Sequence, residues 1–170
     1  MPWLAAALAL AFVHCQARIV GAAKGIPAWR EPLVVPLMVL TGLAEGAGLA
    51  LAVQPSQAAG QPLLLALVAA LVLARLVVWR TYRRRLTPRA RTALEAAGRW
   101  LQITDAALPG LLLVLAVSGA VGQAWAMPLL TAAGLSVAAT GMFFKFTLIT
   151  RAGFNQGFAL AHLPVRGVRR

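Results

Sequence analysis

The sequence predicts an all-α integral membrane protein: a single domain over residues 1–170, built as a bundle of about five transmembrane helices. Three observations carry that prediction. Hydrophobic residues make up 61% of the chain and charged residues 12%, and the mean hydropathy is +0.80, far from the roughly half-apolar, quarter-charged make-up of a soluble domain. The apolar residues are gathered into runs of near-spanning length. The connectors between the runs alternate in charge, every second one being basic.

The first run, residues 3–17, begins almost at Met1 and has neither a basic region ahead of it nor a small-residue cleavage site, so it reads as a membrane segment and not as a signal peptide. The others cover 33–53, 62–79, 106–121 and 125–149, the first and fourth runs being shortest against the ~20 residues that a crossing needs. The connector after the first run carries Arg18, Lys24 and Arg30, whereas Gln54 to Gln61 carries no charge. Arg80 to Asp105 then holds Arg80, Arg83, Arg84, Arg85, Arg89, Arg91 and Arg99, the turn at Gly122 to Ala124 is neutral, and the tail over 150–170 has Arg151, Arg166, Arg169 and Arg170. Basic loops stay on the cytoplasmic side, so the basic connectors and the C-terminus are expected there, with Met1 opposite. Four or six crossings would put basic connectors on opposite faces. Thr92 to Trp100, apolar on one side, reads as a short helix along the interface.

The 16 Lys and Arg against 4 Asp and Glu give a net charge of +12, which on a soluble chain would point to nucleic acid. Here the arginines sit just outside apolar runs, where they fix topology and meet anionic lipid or an acidic partner. No nucleic-acid partner is expected. Cys15 is the one cysteine, so no disulfide framework or iron-sulfur site is expected in this chain. His14 and His162 do not supply two axial ligands for a buried haem, and no clustered zinc or copper ligands occur. No nucleophile and base pair can be assembled either.

Three ionisable residues interrupt the runs. Glu45 lies 12 residues past Leu33, roughly 18 Å along a helix and beyond reach of the headgroups. Left ionised against lipid it would cost at least ~2.5 kcal/mol, so it is expected to face the bundle, on the side shared with the GxxxG pair Gly42 and Gly46. A proton-handling or ligand-contacting role and a structural hydrogen bond are both open to it. Arg75 and Lys145 each stand four residues from the expected cytoplasmic end of their runs, about 6 Å deep, and are expected to snorkel. A pairing with Glu45 would have to bridge about 12 Å of depth and is not expected.

Two segments resemble a known family: Cys15-Gln-Ala-Arg-Ile-Val-Gly-Ala-Ala-Lys-Gly-Ile-Pro-Ala-Trp-Arg-Glu-Pro32, and the stretch from Lys145-Phe-Thr-Leu-Ile-Thr-Arg-Ala-Gly-Phe-Asn-Gln-Gly to Gly167. They resemble membrane anchor subunits of molybdopterin oxidoreductases of the dimethyl sulfoxide reductase and polysulfide reductase type, in particular the membrane subunit of phenylacetyl-CoA:acceptor oxidoreductase. The resemblance implies a multi-pass protein of the bacterial inner (cytoplasmic) membrane that serves anaerobic respiration and electron transport. It implies a quinone, ubiquinone or menaquinone, as cofactor, with no haem or iron-sulfur cluster in this chain. It also implies an iron-sulfur electron-transfer subunit and a molybdopterin catalytic subunit as partners, with electrons passing between quinone and clusters. Glu45, Lys145, Arg151, Asn155 and Gln156 are then the candidate quinone or proton site, and Arg18, Lys24, Arg30, Arg83, Arg84 and Arg85 the candidate partner or lipid docking residues. Such anchors have about eight spans, so the resemblance also implies an N-terminal truncation. Two rival readings remain: a small proton- or cation-coupled transporter centred on Glu45, although no internal repeat supports it, and a non-catalytic assembly or lipid-binding protein.

Overall fold

The structure, a computed structural model, describes residues 2–55, 62–117 and 123–153, and every regular element among them is helical. The helices are α1 (Pro2–Ala22), α2 (Pro27–Arg30), α3 (Val34–Val53), α4 (Pro62–Arg85), α5 (Pro88–Ala93), α6 (Glu95–Val117) and α7 (Gln123–Thr150). Long Ala, Leu and Val runs satisfy their backbone groups internally as helix, the demand that an apolar medium makes. Proline opens α2, α4 and α5, where its missing N–H would have had no intrahelical partner.

Among the described residues, four helices are long and apolar enough to cross a membrane: α1 over Trp3–Ala22, α3, α4, and α7 over Trp125–Thr150. This is compatible with a multi-pass membrane protein. The helix α6 is 23 residues long and carries Glu95, Arg99 and Asp105 in its first half; it is not among these four, so the five crossings that the apolar runs predict are matched at four among the described residues.

Several helix ends differ from the predicted spans. The helix α4 continues from residue 79 to Arg85, and α6 begins at Glu95, not at 106. Hydropathy marks where lipid would stop, whereas the backbone keeps its hydrogen bonds beyond that level. The long basic connector therefore shrinks to residues 86–94. The stretch from Thr92 to Trp100 is no separate surface helix: Ala97, Gly98 and Leu101 are buried in the first turns of α6, with the Trp79 ring lying over Gly98.

The four helices α3, α4, α6 and α7 form a closed ring in which each packs on the next, and α1 lies outside it, chiefly against α3. Neighbours run antiparallel. Gly48 meets the backbone of Gly134 while Glu45 meets Gly141, and Trp79 lies on Gly98 while Arg75 bonds Asp105. The outer side of α1 leaves Trp3, Leu4, Leu8, Phe12 and Ile19 exposed, an apolar surface suited to lipid.

The core divides into two clusters. One, at the arginine-bearing end, joins Leu37, Trp79, Tyr82, Leu101, Phe144 and Leu148, with the Phe144 ring edge-on to Trp79 at 5.0 Å. The other joins Ala44, Leu51, Val68, Leu108, Leu130 and Val137. Between them lie Glu45, Lys145, Arg75 and Asp105.

The predicted GxxxG pair does not form the main helix contact. A Cβ at Gly42 would meet Val13 of α1 at 3.0 Å, and one at Gly46 would meet nothing within 4 Å. The close approach belongs to Gly48 and Gly134, where a Cβ on Gly48 would lie 2.7 Å from the Gly134 carbonyl oxygen. Gly48→Val is expected to lower stability by about 1–3 kcal/mol through overpacking, and Gly46→Ala to leave it unchanged or slightly raised. Thermal melting of the two variants in the same detergent checks this, and equal melting temperatures would contradict the α3–α7 contact.

Candidate functional site

The site is built from ion pairs placed where the two apolar clusters meet. Lys145 Nζ donates to Glu45 Oε2, joining α7 to α3, with side-chain exposures of 29% and 12%. This corrects the expectation that Lys145 snorkels away from Glu45. The backbone register stays close to the expected one, since Gly48 meets Gly134 much as levelling residue 33 with 149 would have it, and the side chains close the gap: the Glu45 carboxylate reaches across to Gly141, one turn from Lys145. Side chains lean toward the N-terminus of their own helix, so in this antiparallel pair Lys145 leans inward and Glu45 leans back toward it.

Gly141 makes the room. A Cβ there would lie 2.6 Å from Glu45 Oε1 and 2.8 Å from its Cγ. Oε1 itself is buried without a hydrogen-bond partner. Glu45 thus faces the bundle as expected, but on the side of Thr41, Ala44 and Gly48, which are buried, and not that of Gly46, which is exposed.

The second pair is Arg75 with Asp105. Arg75 Nε donates to Asp105 Oδ2 at 2.9 Å and Nη2 donates to Oδ1, with both side chains wholly buried. Arg75 was expected to snorkel. Its Cβ points away from the arginine-bearing end, and its guanidinium turns inward to Asp105 on α6. Asp105, read from the sequence as the last residue of a connector, is instead ten residues inside α6. Arg75 Nη1 and Trp79 Nε1, one turn apart, are buried without partners.

At the arginine-bearing end the docking candidates separate into two clefts. Arg18, Lys24 and Arg30 line one of about 560 Å³ together with Glu31. Arg83 and Arg84 line another of about 390 Å³ with Arg80, Arg91 and Gln102, which sequence reading did not bring together. Arg85 turns to Glu31 at 3.1 Å, an exposed pair worth at most ~1 kcal/mol. Arg151 is exposed just past the end of α7, about 9 Å along the axis from Lys145, and does not join the pair. Asn155 and Gln156 lie outside the described residues.

The two segments that carry the family resemblance meet in space. Trp29 Nε1 donates to the carbonyl of Leu148 at 3.1 Å, satisfying a carbonyl in the last turn of α7 that has no helical donor. Tyr82 Oη donates to the Ala28 carbonyl at 2.7 Å, tying α2 to α4. Among the described residues, no three His, Cys, Asp or Glu side chains converge as a metal site would require. No family model, no curated protein and no solved structure matches the chain.

Removing one member of the buried pair leaves its partner charged and alone. Asp105→Leu is expected to cost about 3–5 kcal/mol, and the double change Arg75→Met with Asp105→Leu to recover most of it. Melting temperatures of the two variants read this directly; a double variant no better than the single one would contradict the pairing.

Proposed function

We propose that this chain is the membrane anchor and quinone-reactive subunit of a multi-subunit molybdopterin and iron-sulfur oxidoreductase in the bacterial inner membrane. In this reading α6 is a fifth crossing, and the arginine-bearing end with the C-terminus faces the cytoplasm. The supporting observation is the Glu45–Lys145 pair: an ammonium donor beside a carboxylate with one unpartnered oxygen, partly open, inside an apolar bundle. That donor set fits a quinone headgroup. A bound quinone supplies a couple of two electrons and two protons. Lys145 orients a carbonyl oxygen of the headgroup by donating a hydrogen bond, and Glu45 holds or releases a proton at Oε1. The cleft of Arg18, Lys24 and Arg30 receives an acidic face of the iron-sulfur partner.

In the assembled complex, Glu45→Gln is expected to slow quinone turnover about a hundredfold, the contribution typical of a positioned proton donor, with subunit composition unchanged. Unaltered turnover would remove the proton role, and a chain that never co-purifies with an iron-sulfur subunit would remove the anchor role. Topology has its own check. In a Cys15→Ser background, Arg89→Cys and Arg169→Cys are expected to react with an impermeant thiol reagent from one face, and Gln57→Cys from the other. Labelling of the two arginine positions from opposite faces would rule out five crossings.

A second reading draws on the same layer. Two ion pairs at a common level across four helices would also suit a proton- or cation-coupled transporter, and proton-coupled flux in liposomes holding this chain alone would favour it.

A further inference from the structure

We propose that the seam between α4 and α6 is a binding site for an anionic phospholipid, its phosphate held by the arginine cleft and an acyl chain laid along the seam. The inference rests on the reading that the bundle lies in a bilayer; it needs neither a quinone nor a partner subunit.

The cleft at the arginine-bearing end is lined by Arg80, Arg83, Arg84, Arg91 and Gln102 and by no carboxylate. Arg91 Nη2 donates to the carbonyls of Leu86 at 3.4 Å and Arg84 at 3.5 Å, which holds that guanidinium at the mouth. Four guanidinium groups around about 390 Å³ repel one another unless an anion sits among them, and their planar forks match phosphate oxygens. Basic pockets between transmembrane helices hold phospholipid headgroups for this reason.

A second cleft of about 390 Å³, almost wholly apolar, lies between the same two helices, where Ala66, Ala70 and Leu73 of α4 face Pro109 and Leu113 of α6. The two clefts share one side of the pair. Steps of three and four residues carry Ala66, Ala70, Leu73, Val77, Arg80 and Arg84 along one face of α4, as they carry Gln102, Pro109 and Leu113 along one face of α6. Val77, 62% exposed, links the basic cleft to the apolar one. From Arg80 the axis advances seven residues to Leu73 and ten to Ala70, about 10 and 15 Å, so an acyl chain of one leaflet reaches the near end of the apolar cleft. Ala66, Ala69 and Ala70 keep the α4 wall of the apolar cleft low. A free phosphate would use the arginines and leave the apolar cleft empty; a phospholipid fills both.

The test uses the full chain purified in detergent and stripped of lipid, with phosphatidylglycerol, phosphatidylcholine or inorganic phosphate added in turn. Phosphatidylglycerol is expected to raise the melting temperature and to stay bound in native mass spectrometry, while the other two do neither. Arg80→Gln with Arg84→Gln is expected to weaken phosphatidylglycerol binding about thirtyfold, near fivefold for each arginine. Ala70→Phe, which fills the apolar cleft and leaves the arginines intact, is expected to abolish binding. Arg18→Gln with Lys24→Gln, in the other cleft, is expected to leave it unchanged. These positions are all exposed, and their melting temperatures without lipid are expected to match wild type. Equal stabilisation by inorganic phosphate would overturn the lipid in favour of a free anion, and undiminished binding in the arginine or Ala70 variant would overturn the site. A chain soluble without detergent would sink the membrane reading instead, so the two failures are distinguishable.

Discussion

An unpaired charge inside an apolar bundle is so costly that its partner's position dictates how the helices sit. This constraint governs the ring. Arg75 and Asp105 are wholly buried, so α4 and α6 must lock at the one register that brings guanidinium to carboxylate. The Trp79 ring over Gly98 and the buried Leu101 follow from that register. On the other side of the ring, Glu45 and Lys145 hold α3 to α7, and the close approach of Gly48 to Gly134 is the packing consequence.

Both pairs obey the same geometry. The cation is on a helix that ends at the arginine-bearing end, α4 or α7, and the acid is on one that begins there, α3 or α6. The acid also sits deeper. With Gly48 against Gly134, Glu45 lies deeper than Lys145 and its carboxylate reaches back to Gly141, and Asp105 likewise lies deeper than Arg75. Side chains lean toward their own N-terminus, so on antiparallel helices such an offset makes the two side chains converge. Levels drawn from Cα positions alone put the partners too far apart.

This explains which parts were legible in the sequence. The apolar runs locate the helices, and the depth of Glu45 tells that it must turn inward. The ends were not legible, because arginines at headgroup level ride on a helix that continues, as Arg80 to Arg85 do. Arg75 was misread for another reason: a depth from which an arginine can snorkel says nothing of a buried acid on the neighbouring helix. Asp105 went unread because a lone aspartate before an apolar run resembles a connector's last residue; only its partner on α4 shows that it belongs inside. The grouping of Arg18, Lys24 and Arg30 in one cleft was legible as charge but not as shape. Gly48 and Gly134 gave no local signal, since their importance lies in facing each other across two helices 86 positions apart.

The two pairs share a level and a sign pattern but differ in what they leave open. Arg75 grips both oxygens of Asp105, and no solvent-exposed surface remains on either side chain. Such a carboxylate has no free oxygen and no route for a proton, so its work is to fix the scaffold. Glu45 gives one oxygen to Lys145 and keeps the other without a partner, while Lys145 retains 29% exposure. Of the two pairs, only this one leaves a carboxylate oxygen without a partner. The sealed pair sets the register of one side of the ring, and that rigidity lets the opposite side carry a carboxylate that is only half satisfied.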